Sequence, residues 1–170
     1  MKKKRFWLFV ALLLVGFMGM HSQKVEAAPW GAKKLYTTPV AARGTWYYKE
    51  SGKINRFKIT KHTVWGKKLY YMLPKKEYNK LESKLESLPE KKYISTIYHL
   101  DDTICQVYEF KWHGIKSFNV NGWLAGAGDG AYYVPVTKLR HGKKVQALRI
   151  GHGAYNWLTF YAYKSPELVK

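Results

Sequence analysis

The segment Arg43-Gly44-Thr45-Trp46-Tyr47-Tyr48 constrains the chain more than any other. Side chains alternate along a strand, so Gly44 and Trp46 share one face, and the glycine leaves room for a wide indole across the floor of a small sheet. Short stretches of strand character follow, broken by turn residues at Ser51-Gly52, Gly66-Lys67, His113-Gly114, His141-Gly142 and Gly151-His152-Gly153. About nine such strands at regular spacing, joined by tight turns that favour antiparallel neighbours, predict a mainly β domain. A single antiparallel barrel of eight or nine strands explains the pattern best, because closure removes the exposed edges that template aggregation. A two-sheet sandwich is the alternative with the same spacing.

Within this frame, Ile54 to Thr60 puts Asn55, Phe57 and Ile59 on one face and Arg56 and Lys58 on the other, the mark of a half-buried strand. Strand character continues through Thr63-Val64-Trp65 and Lys68 to Leu73. One helix is predicted, from Lys75 to Ser87, because Tyr78, Leu81, Leu85 and Leu88 recur at spacings of three and four. Pro74 suits its start and Pro89 its end. Strands are expected again at Tyr93 to Leu100 and, after a turn at Asp101-Asp102, at Thr103 to Trp112. There Ile104, Tyr108, Phe110 and Trp112 share one face, with Glu109 and Lys111 on the other. The glycine-rich run from Gly126 to Gly130 reads as a hairpin loop ahead of Tyr132 to Leu139. Lys144 to Ile150 and Tyr155 to Tyr163 complete the series.

The N-terminus reads as an export signal. Lys2, Lys3, Lys4 and Arg5 precede an uncharged apolar run from Phe6 to Met20, and Val25-Glu26-Ala27 offers a cleavage site after Ala27. The apolar run is short beside the roughly 20 residues a membrane span needs. Expected are a signal over 1–27, an extended lead-in over 28–42 in which Trp30 and Tyr36 tuck against the domain, and one β domain over 43–170. The chain has 30 basic and 11 acidic residues. Removing five basic residues and Glu26 leaves 25 against 10, a net charge of +15. Such a charge attracts polyanions, and for an exported chain that means wall polymers, anionic lipid heads or polysaccharides rather than nucleic acid. Cys105 is the only cysteine, so no internal disulfide forms and the core must hold the fold.

Catalytic and metal chemistry finds little footing. His62, His99, His113, His141 and His152 lie mostly at strand ends and turns, without a metal-ligand spacing. Asp101 and Asp102 beside His99 are explained by a turn, and Cys105 by a buried strand position. No Gly-x-Ser-x-Gly occurs. No catalytic residue, metal site or cofactor is expected. The closing strand carries Tyr155, Trp157, Tyr161 and Tyr163 with Leu158 and Phe160, aromatics that suit a core or a sugar-stacking cleft.

The opening Gly44-Thr45-Trp46-Tyr47, with Phe57 to Val64 after it, resembles a group of small secreted proteins of lactic-acid bacteria. More distantly, Gly44-x-Trp46 is similar to the first-strand motif of lipocalins and related calycin barrels. That resemblance implies a barrel whose interior holds a small hydrophobic ligand, with Arg149 or Lys164 as the cation packed on Trp46. The expected function is that of a secreted, non-catalytic binding protein of the cell envelope, loosely held at the wall. Trp46, Tyr48, Phe57, Tyr108 and Trp157 are the candidate ligand-binding residues. The alternative is that the lysine-rich exterior, with doublets at 33–34, 67–68, 75–76, 91–92 and 143–144, binds anionic wall polymers or glycans. A wall-acting enzyme is the third reading.

Overall fold

The computed structural model describes residues 29–125 and 130–170. The expected signal segment, and residues 126–129 of the expected hairpin loop, lie outside the described residues. The strands are β1 (Gly44–Glu50), β2 (Lys53–Ile59), β3 (Thr63–Val64), β4 (Lys67–Tyr71), β5 (Ile104–Trp112), β6 (Ile115–Gly122), β7 (Ala131–Arg140), β8 (Lys143–His152) and β9 (Trp157–Tyr163). They follow sequence order around one closed barrel, with β9 paired back on β1 through Tyr47 and Tyr163. The sheet is therefore a barrel and not a sandwich.

Local turn chemistry makes the hairpins. Ser51-Gly52, Trp65-Gly66, His113-Gly114 and His141-Gly142 each have positive φ at both residues. In a two-residue hairpin turn that backbone matches the right-handed twist of the strands it joins.

Three sequence expectations are corrected. Tyr93 to Leu100 is helical. Helix α1 (Lys75–Glu86) is followed by α2 (Glu90–Thr103), and Pro89 is the residue that ends the first and opens the second. The β-branched and aromatic residues of α2 favour a strand one by one. Yet Tyr93, Ile97 and Leu100 fall at helical spacing, and they are the positions turned away from solvent. Asp101 and Asp102 lie in the last turn of α2 rather than in a hairpin.

The second correction concerns strand direction. Around a closed ring, directions can alternate throughout only if the strand number is even, and nine is odd. One neighbouring pair must run parallel, and that pair is β4 with β5. A parallel connection needs a long crossover, which the two helices supply.

The third correction concerns β5. Cys105 and Val107 point into the barrel, in the company of Trp46, Phe118 and Leu148. Tyr108, Phe110 and Trp112 consequently face outward, and Glu109 shares the inner face, the reverse of the expected assignment. The first half of β5 is buried on both faces. Its outer Ile104 packs under Leu81, Leu85 and Leu100 of the helices, so the more aromatic face does not mark the inside. Among the described residues no helix is long and apolar enough to cross a membrane.

Candidate functional site

Period-two alternation brings Trp46, Tyr48 and Phe57 together inside the barrel, with exposures of 0%, 7% and 4%. Tyr48 and Phe57 belong to a column of rings that runs between the two ends. At one end Trp65 stacks on Phe57 (centroids 4.6 Å apart, 15° between planes), and Tyr48 stacks on Phe160 (4.2 Å, 14°). Phe57 then meets Tyr133 at 6.4 Å, and Tyr133 stacks on Phe118 at 5.0 Å. Tyr36 continues the column, 5.5 Å from Phe118 and 5.3 Å from Tyr71. Small barrels fill their interiors with side chains in this way.

Tyr36 comes from the lead-in, which joins β4 through Tyr36 N–H to Leu69 O (2.8 Å) and Tyr71 N–H to Lys34 O (2.9 Å). Its ring is fully buried and its hydroxyl makes no hydrogen bond of normal geometry, with the Glu109 carboxylate as its neighbouring acceptor. Burial, and then the negative charge of Glu109, raise its pKa far above the usual phenol value. The Cys105 thiol is likewise pushed up, to about 11. Burial is the main cause, Lys67 opposes it and Asp101 adds to it. A thiol so held is a poor nucleophile.

Trp46 is fixed at both edges. Its indole N–H donates to Ala42 O at 2.7 Å, and Lys164 Nζ stands 3.7 Å from the ring centroid while donating to Arg43 O. Lys164 is thus the cation on this indole. Arg149 lies instead over Trp112, at 4.8 Å. The freedom of Gly44 also gains a physical reason. Its φ is +118°, and a Cβ there would meet Lys164 Nζ at 2.6 Å. The room left by the glycine is used by the ammonium as much as by the indole.

Tyr108 and Trp157 do not join the interior group. Tyr108 faces outward, its hydroxyl 3.3 Å from that of Tyr132. Trp157 is 55% exposed at the barrel end where β8 turns into β9. That turn is clamped by Arg149, whose guanidinium donates to Asn156 Oδ1 at 2.7 Å and to Asn156 O at 2.6 Å. Neither the clamp nor the tip position of Trp65 was read from the sequence. Trp65-Gly66 falls between two apolar strands, and a residue-Gly pair there was the available signal.

The outer surface carries the charge. A groove of about 340 Å³ runs between the lead-in and α1. Trp30, Leu73 and Leu81 form its apolar part, and Lys33, Lys80 and Lys84 border it. Lys84 Nζ lies 4.9 Å from the Trp30 ring centroid, and Lys33 pairs with Glu77 at 2.8 Å. A second groove, of about 390 Å³, is lined by Thr45, Arg56, Phe57 and Lys58. His99, Asp101 and Asp102 lie exposed on α2, and among the described residues no three His, Cys, Asp or Glu side chains form a metal-holding group. In comparisons with known proteins, no family model matches this chain, and no curated protein or solved structure does.

Proposed function

We propose that this is a non-catalytic binding protein of the cell envelope that holds anionic polymers on its basic exterior. The observation that carries this reading is the groove beside α1, where Lys33, Lys80 and Lys84 gather around the Trp30 ring and Leu81. Cations beside an aromatic face suit a chain of phosphorylated or carboxylated sugars, offering charge to the anion and a flat apolar surface to the ring. Export, proposed from the N-terminal segment, places the protein among such polymers. The test is retention on isolated walls and on an immobilised glycerol-phosphate polymer. Retention that collapses as salt rises to 1 M, where screening acts over about 3 Å, supports the proposal. Retention indifferent to salt, or none at low salt, rejects it.

A second reading, a small hydrophobic ligand in the barrel, draws on one observation. Trp65, half exposed at one end of the ring column, is the interior-facing ring that a flat apolar ligand reaches first. Native mass spectrometry of the protein from its host would reveal such a ligand as a discrete adduct, and a clean apo mass would count against it.

A further inference from the structure

Several large, partly exposed apolar side chains gather at one end of the barrel, Trp65 among them with its inner side stacked on Phe57. The turns β1–β2, β3–β4 and β8–β9 lie at that same end, because β9, β1, β2 and β3 are consecutive antiparallel neighbours. Along this arc Ile54 is 41% exposed, Trp65 48%, Tyr155 75%, Trp157 55% and Leu158 48%. Lys49 and Lys53 are exposed beside them, with Lys67 next to the Trp65 turn and Glu50 as the acidic neighbour.

Two features set these tips apart from scattered surface apolars. Trp65 has φ +54°, a left-handed backbone that a bulky side chain adopts only at a cost and that Asn or Gly would take readily. The β8–β9 tip is held rigid by the Arg149 clamp on Asn156, so Tyr155 and Trp157 are displayed without an ordering cost on binding. The Tyr155 and Trp157 rings are tilted 55° to one another on the β8–β9 turn, while Trp65 stands on the β3–β4 turn. Rings so tilted do not offer a sugar a flat platform.

We infer that this end of the barrel docks on an anionic lipid bilayer, with the turn tips inserted at the headgroup level and the lysines on the lipid phosphates. Trp and Tyr prefer that interface because one side of the ring is apolar and the other polar. The neighbouring lysines add attraction to anionic lipid of roughly fivefold in affinity each. The far side of the same end, near β5, carries Asp101 and Asp102, so the contact is a tilted arc rather than the whole rim. This surface is separate from the groove beside α1, and the two proposals can fail independently.

The test is co-sedimentation of protein purified from its host with vesicles of phosphatidylglycerol and phosphatidylcholine in equal parts, and with phosphatidylcholine alone. The double variant Trp65→Asn/Tyr155→Ser changes two partly exposed positions and Asn suits the turn at 65, and thermal unfolding of the variant checks that losing the Trp65–Phe57 stack leaves the fold intact. A further variant adds Trp157→Ala. Expected are stronger binding to the anionic vesicles than to the neutral ones, and a loss of roughly tenfold or more in the double variant. Retention on glycerol-phosphate polymer should stay unchanged. Equal binding of the parent, the double and the triple variant, or no binding of the parent to anionic vesicles, overturns the inference whatever the polymer result.

Discussion

Lys164 lies over the indole of Trp46, with Nζ 3.7 Å from the ring centroid, and the same ammonium donates to the carbonyl of Arg43. The contact ties the residue after the last strand to the first strand, at the seam where β9 closes on β1. Replacing Lys164 with Ala should remove the cation–π attraction and a charged hydrogen bond together, at about 2 kcal/mol of stability. Denaturant unfolding would measure it, and a change within about 0.5 kcal/mol, typical of a surface substitution, would contradict the assignment.

Gly44 is coupled to that lysine. Gly44→Ala should destabilise by roughly 1–2 kcal/mol, because φ is +118° and the new Cβ meets Lys164 Nζ. In the Lys164→Ala background the steric part should vanish while the backbone part remains. A double-mutant cycle therefore predicts a non-additive term, and strict additivity would show that the two residues do not share this space.

Tyr36→Phe is expected to leave the fold as stable as before, or more stable by about 1 kcal/mol. The substitution keeps the ring in the column and removes a buried hydroxyl that makes no hydrogen bond of normal geometry and has only the Glu109 carboxylate as a neighbouring acceptor. Thermal unfolding decides this, and a loss above about 1 kcal/mol would mean that the hydroxyl has a stabilising partner.

How much of this was legible beforehand depended on range in sequence. The hairpins were readable because residue-Gly pairs specify a turn locally, and Trp46, Tyr48 and Phe57 converge because alternation over two adjacent strands is a local rule. The second helix was hidden by Tyr93, Ile94, Ile97 and Tyr98, whose individual strand preference masks a stripe that ends at Leu100. The parallel pairing of β4 with β5 depends on ring closure, which no window of sequence contains. Lys164 could be narrowed to one of two cations but not chosen, because its partner lies at the other end of the domain. Tyr108 was misplaced because β5 is apolar on both faces where the helices cover it.

Cys105 makes stability depend on pH at the alkaline end. Its folded pKa of about 11 lies above the ordinary thiol value of 9.0, so the folded state holds this proton more tightly. The thiol's contribution is complete below pH 9.0 and fades as pH rises towards about 11, a loss of roughly 2–3 kcal/mol in all. Cys105→Ala should flatten that slope over the same window. At pH 8 a thiol reagent should modify the native protein at least about 100-fold more slowly than the denatured chain. Equal rates would place the thiol at the surface.

The most direct measurement is the salt dependence of affinity for a glycerol-phosphate polymer, compared between the parent and the variant Lys80→Gln/Lys84→Gln. If the groove beside α1 holds the polymer, affinity falls steeply with salt in the parent, and the variant binds more weakly with a shallower slope, as when phosphate contacts are lost. An identical slope and affinity in the two proteins would contradict binding at this groove.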